Sequence, residues 1–286
     1  MAELPQALVN GVLLGAVFAL AAVGLTLIFG VMDVVNFAHG EFLMLGMYTA
    51  FFAWSLFGLD PMLSVPISAL AMALLGWIVY RGVIARVLTG PPLNQVIATF
   101  GLLVLLRGLA QLLFTADTRK VLHPWAENIR FEIGSVVIGG PQLLTAIGAL
   151  GCTLLVGWFI DRTEIGTALR AVGEDRAAAA LQGLDAEKLF RLAWMIAGAT
   201  TGVAGALLMN SYVASPEAGI AFGLISFVVV ALGGFGSIGG AAVAGIGLGV
   251  VQGVVGAYAA NYTLAAALAL YLVVVLVRPQ GLVGNR

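Results

Sequence analysis

The stretch ALVNGVLLGAVFALAAVGLTLI, residues 7–28, contains 22 consecutive residues without a charge. A helix needs about 20 mostly apolar residues to cross the roughly 30 Å of bilayer hydrocarbon. The stretch therefore reads as a membrane-spanning helix, and it is longer than the apolar core of a secretory signal. Residues 1–6 carry Glu3 and neither Lys nor Arg, so the basic leader of a cleavable signal is missing and an uncleaved span is expected. The same test along the chain gives spans near 7–30, 37–57, 62–80, 95–114, 142–160, 191–210, 219–235, 239–258 and 262–277. Polar or glycine-rich motifs abut 37–57 and 219–235, and a re-entrant course for either would reduce nine spans to eight. The segments are continuous apolar runs rather than alternating ones, which excludes a β-barrel. The fold class expected is all-α, a polytopic transmembrane helical bundle of eight or nine spans, with 1–286 forming one transmembrane domain.

Composition agrees. Of 286 residues, 61% are hydrophobic and 9% charged, and the mean hydropathy is +1.07. Soluble domains have about 25% charged residues, so soluble enzyme, nucleic-acid binder and disordered regulator are all poor readings. With 13 Lys+Arg against 14 Asp+Glu the net charge is −1, so no basic field awaits a nucleic acid. Cys152 is the single cysteine, which rules out an intrachain disulfide and a cysteine metal cluster.

Basic residues assign the sides, because cytoplasmic loops retain them. The 161–191 loop holds Arg162, Arg170, Arg176, Lys188 and Arg191, the turn after the third span Arg81 and Arg86, and the C-terminal tail Arg278 and Arg286. With nine spans all three lie on one side, taken as cytoplasmic, which puts the N-terminus outside and the C-terminus inside. The outer loop 115–141 carries Arg119, Lys120 and Arg130, three basic residues against nine. No GxxxxGK[ST] phosphate loop occurs, so energy must come from a gradient or another subunit.

Within 161–191, Asp175 to Gln182 favour a short helix, with Gly183 as its stop and Asp185 as N-cap of the following span. Such a helix of small side chains suits docking into a cleft of a partner, and equally a solvated connector. Ala241, Gly245, Gly249, Gly253 and Ala257 recur every fourth residue, as do Gly11, Gly15 and Ala19, and Gly198 with Gly202; these are packing faces for close helix contact. GGFGSIGGA, 233–241, breaks an apolar run and belongs at a turn or lining a vestibule, because non-helical backbone survives in lipid only where it is buried or faces a cavity.

GVMDVVNFAHGEF, 30–42, sets Asn36, His39 and Glu41 between two spans. Ionisable groups at membrane depth are expensive and often functional. A structural account also serves: Asn36 caps the second span, Glu41 sits near its positive end, and His39 satisfies carbonyls of the turn. Arg107 inside the fourth span must snorkel, pair, with Glu41 as a partner, or face water; its place past mid-span favours snorkelling. Ser215-Pro216-Glu217 reads as cap, first-turn Pro and acid at the start of the seventh span.

Three of these motifs at their spacings, 10–42, 166–185 and 233–249, resemble the permease subunits of branched-chain amino acid ABC transporters, and the likeness covers essentially the whole chain. The resemblance implies a transport subunit rather than an enzyme. It implies a second homologous permease, two cytoplasmic ATP-binding subunits holding ATP and Mg, and a periplasmic or lipoprotein solute-binding protein, all at the bacterial inner membrane. It makes Arg170, Ala171, Glu174, Asp175, Ala179 and Gly183 the coupling segment. Asn36, His39, Glu41, Gly236 and Ser237 become candidates for the pathway or its gate. Phe18 stands where many relatives carry Tyr, and Met47 where a small residue is usual, so both are candidates for pathway residues that set a different solute. Urea, amides and aromatic acids are alternative cargoes, and a gradient-driven secondary transporter is the rival class. That class needs mid-membrane ion ligands, often in inverted repeats, and no clear internal repeat is seen.

Overall fold

A computed structural model describes residues 3–283; Arg286 of the basic tail lies outside them. The helices are α1 (Glu3–Met32), α2 (His39–Phe57), α3 (Pro61–Val79) continuing through a π-turn at Tyr80–Ile84 into α4 (Ala85–Val87), α5 (Pro92–Phe114), α6 (Gly140–Arg162), α7 (Glu164–Glu174), α8 (Arg176–Leu181), α9 (Ala186–Leu208), α10 (Ala218–Gly233), α11 (Ile238–Ala259) and α12 (Thr263–Val277). Seven stretches are long and apolar enough to cross a membrane, and α10 is a shorter apolar helix. The last of the seven, 238–277, folds back at Ala260–Tyr262. The chain after α12 thereby returns to the end of α10, where Leu282 and Val283 N–H groups donate to the carbonyls of Leu232 and Gly233. Among the described residues the chain thus passes through the bundle nine times, with the helices α2 and α10 each covering only part of the depth. The 115–141 connection adds a two-stranded antiparallel hairpin, β1 (Arg130–Ile133) with β2 (Val136–Gly139).

Two glycine stripes find each other. A Cβ on Gly11 would fall 2.7 Å from Val250 Cα, and one on Gly15 would fall 2.6 Å from Ile246 Cα. Gly245 lies against Ala19, Gly249 against Gly15 and Gly11, and Gly253 against Ala7 and Gly11. With no hydrophobic drive between helices in lipid, this close van der Waals approach is what binds α1 to α11. Gly198 and Gly202 make the same kind of seat on α9 for α3. There Ser68 Oγ, fully buried, is within bonding reach of the Gly46 and Gly202 carbonyls at 3.0 and 2.9 Å, linking α2, α3 and α9.

The chain between α1 and α2 is the departure from a plain hairpin. The expected second span is present, but its helix starts deep inside the bundle. His39 Nε2 reaches the carbonyl of Ala21 at 2.7 Å, eleven residues before the end of α1. At 1.5 Å rise per residue α1 descends about 16 Å beyond that level. The non-helical residues 33–38 climb back over that depth. Asp33, at φ 54°, reverses the chain. Asn36 is not the N-cap of α2: that position is Ala38, and Asn36 Oδ1 instead accepts from Ala38 N at 3.1 Å in a local turn. Ser215 likewise does not cap α10, whose N-cap position is Glu217, because Ala218 N donates to the Ser215 carbonyl in a turn that delays the helix.

The glycine contact is testable on purified protein in detergent. Gly249→Val should lower stability by about 2–3 kcal/mol through overpacking and reduce the thermal midpoint. Gly247→Ala, on the same helix but facing open space, should leave the midpoint unchanged or raise it slightly.

Candidate functional site

Two groups of the sequence-selected residues assemble at different depths. The first lies at the end of the bundle that carries the 161–191 connection. Thr163 caps α7, its hydroxyl accepting from Gly166 N at 3.0 Å, a helix the sequence reading left inside a connector. Asp175 ends α7 and caps α8, its carboxylate accepting from Ala177 N at 2.8 Å and Ala178 N at 3.0 Å. Gly183, at φ 81°, stops α8 in a conformation that favours glycine, and Asp185 caps α9 by accepting from Lys188 N at 3.1 Å. Ala179 is buried against the bundle, whereas Ala177, Ala178 and Ala180 face outward. Leu181, at 91% exposure, is an apolar knob at the tip of α8.

This pair of helices is fastened to α1. Gly173 packs on the backbone of Gly30, and Gly30 in turn packs on Gly236. Arg176 Nη2 donates to the carbonyl of Met32 at 3.0 Å, while its guanidinium lies 4.8 Å from the Phe190 ring centre. That contact places a cation on the negative end of the α1 dipole, immediately before the extended 33–38 segment. Leu181 and Arg176 are the members sequence reasoning missed. The exposure of one and the reach of the other depend on how α8 is rotated.

Arg170 and Glu174 line a cavity of about 590 Å³ together with Asp33, Gly236 and Ser237. Arg170 is paired with Asp161 at 2.9 Å. The glycine-rich motif is therefore both turn and vestibule: Gly236, at φ 82°, shapes the turn, and Ser237 Oγ caps α11 by accepting from Gly240 N at 3.0 Å. Ala171 sits on α7 and is only partly covered.

The second group lies within the bundle, where α2 and α10 begin. Gly40 is packed on Gly219 and Gly223, so the two helix starts touch. From there α2 runs toward the loop containing Asp60, and α10 runs the opposite way toward Gly30. Glu41 is 1% exposed and accepts a hydrogen bond from Arg107 Nη2 of α5. Arg107 thus pairs rather than snorkels, because the start of α2 is deep enough to bring Glu41 alongside it. His39 satisfies a carbonyl of α1 and not of its own turn. Thr99 Oγ1 donates to the Val35 carbonyl at 3.1 Å, tying α5 to the extended segment.

Phe18 and Met47 belong to neither group. Both are buried, Phe18 among residues of α1, α10 and α11, and Met47 against Gly205 of α9. Among the described residues no group of His, Cys, Asp or Glu is arranged to hold a metal.

Residues 7–277 match the family model described as branched-chain amino acid transport system / permease component. The chain is 32% identical to the high-affinity branched-chain amino acid transport system permease protein LivH of Salmonella typhimurium, with 98% of this chain and 95% of the relative covered. It has the same identity and coverage with the corresponding protein BraD of Pseudomonas aeruginosa. It is 28% identical to the ribose import permease protein RbsC of Escherichia coli over 79% of this chain and 68% of that one. No solved structure matches. The nine-helix bundle and these matches place the chain in the family of branched-chain amino acid transport system permease components.

Proposed function

We propose that this chain, as one transmembrane permease domain over 1–286, forms half of the translocation path of an ATP-driven importer. It pairs with a second homologous permease. Two cytoplasmic subunits supply ATP and Mg, and an extracytoplasmic binding protein delivers the solute. The cargo is a branched-chain or other hydrophobic amino acid, in line with what the LivH and BraD relatives are named for. The basic end, with α7, α8 and the C-terminal tail, faces the cytoplasm, and Glu3 begins outside.

The observation that carries the reading is the α7–α8 unit. It presents a bare, small-residue helix with one leucine 91% exposed at the end of the bundle, and its other side is bonded to the end of α1 through Gly173 and Arg176. Closure of the ATP-binding subunits pushes α8. Arg176 and Gly173 pass the displacement to Met32, and residues 33–38 pass it on to the buried start of α2. Gly236 and Ser237 border the vestibule into which cargo would be released, and Asn36, His39 and Glu41 lie where a gate would close.

Burying Leu181 in a partner cleft is worth about 1.5–3 kcal/mol, so Leu181→Asp should weaken retention of the ATP-binding subunits at least tenfold in co-purification. Arg176→Ala should keep the assembly intact while cutting solute taken up per ATP hydrolysed several-fold in proteoliposomes; full coupling in that variant would remove Arg176 from the route.

Asp175→Ala should cost about 1 kcal/mol of local helix stability, read as faster amide exchange over 176–182, while Asp175→Asn should retain the cap. Asp185 is held below the ordinary carboxylate pKa of 3.8 by hydrogen bonding from Lys188. Its cap is therefore complete above that value and is lost only as pH falls through the lowered pKa. A carboxyl titration of Asp185 followed by NMR should show its midpoint below 3.8.

A further inference from the structure

The pair Glu41–Arg107 is unfinished on both sides. Glu41 accepts Arg107 Nη2 through Oε1, but its Oε2 is buried without a partner. On the guanidinium, Nη2 is engaged and Nε, its neighbour on the same edge, is buried without a partner. That edge is the two-donor fork that binds a carboxylate in parallel, and here it is half used. Around it, the starts of α2 and α10 meet without a side-chain cap on either. A Cβ on Gly219 would fall 2.5 Å from Glu41 Oε2, so the absent side chain there lets the carboxylate lie against the first turn of α10. Two positive helix ends and one arginine thus converge on a single carboxylate. The arrangement opens at Arg107, whose side chain is 21% exposed, toward the exposed pair Gln111 and Glu217.

We propose that Glu41 and Arg107 are the intramembrane subsite for the zwitterionic head of an α-amino acid. The inference rests on the amino-acid reading above. Glu41 receives the ammonium, and Arg107, with the first turn of α10, receives the carboxylate. In the structure the two side chains pair with each other. A zwitterion enters by exchange, one internal pair becoming two pairs with the cargo. No charge is left uncompensated at any stage, which is the condition for moving charges inside a membrane at tolerable cost. An amine or a carboxylic acid alone would satisfy one partner and strand the other.

Two measurements test the subsite on the full assembly purified through this chain. In proteoliposomes with ATP and loaded binding protein, the wild type should take up L-leucine. The double variant Glu41→Gln with Arg107→Gln, a matched neutral pair that leaves no lone charge, should still co-purify with its partners and lose uptake at least tenfold. Uptake equal to wild type would reduce the pair to a structural lock and overturn the subsite. Independently of any variant, millimolar L-leucine should raise the melting temperature of the wild-type assembly without binding protein, whereas 3-methylbutylamine and 4-methylpentanoate should not. Equal shifts with either single-charge analogue, or no shift with leucine, would also overturn it. A double variant that fails to assemble leaves the decision to the melting test. A wild-type assembly that imports no amino acid sinks the transport reading itself, and the subsite with it; wild-type import beside an equally active double variant sinks the subsite alone.

Discussion

Gly11 and Gly15 of α1 lie against the backbones of Gly249, Val250 and Ile246 on α11, at a separation no side chain would permit. That contact fixes α1 as the central post. Over much of its length α1 is enclosed by other helices: α11 along the glycine stripe, α9 at Gly24, and α7 at Gly30. From Ala16 to Ile28 every residue of α1 is buried. A helix so enclosed cannot shift alone, and whatever moves its lower end must move the elements fastened there.

The break after α1 follows from the rule that lipid offers no partner to a bare backbone group. Residues 33–38 leave the helix inside the protein, and their neighbours take over the lost bonding. Thr99 of α5 serves the Val35 carbonyl, Asn36 serves Ala38 N, Arg176 of α8 serves the Met32 carbonyl, and His39 serves Ala21 from the other side. Side chains from α2, α5 and α8, together with Asn36 of the segment itself, therefore hold one short stretch and its two ends. Removing a single one exposes an unsatisfied group in a low-dielectric interior, at a cost of about 1–3 kcal/mol. Asn36 and His39 share one sequence motif, Arg176 lies in the 161–191 connection and Thr99 in an otherwise plain span, and the fold gives them a common task.

Much of this was legible before the structure. Hydropathy located the spans to within a few residues, and Asp175, Gly183 and Asp185 marked the short helix and its borders because capping is local chemistry. The glycine stripes were readable as faces. Which stripe met which was not, because that is a matter of three-dimensional pairing. Depth was the main thing missing. Nothing in 30–42 states that the chain re-enters the bundle before coiling, so Asn36 was assigned a cap it does not make and Arg107 was expected to snorkel. Thr163 announced α7 by the usual cap chemistry and was passed over within a charged connector. Phe18 and Met47 stood out by comparison with relatives, and their burial among the helices was not written in the sequence.

The opposed courses of α2 and α10 have an electrical consequence. Each starts at the shared junction with its positive end and finishes with its negative end, one at either face of the bundle. Their dipoles therefore oppose each other along the bundle axis, and the Glu41–Arg107 pair beside them is neutral in sum. A rearrangement of this junction carries little net charge through the transmembrane field. A full elementary charge would gain or lose about 2.3 kcal/mol per 100 mV. The junction is thus nearly blind to membrane voltage, and its geometry answers instead to forces applied at the two faces of the protein.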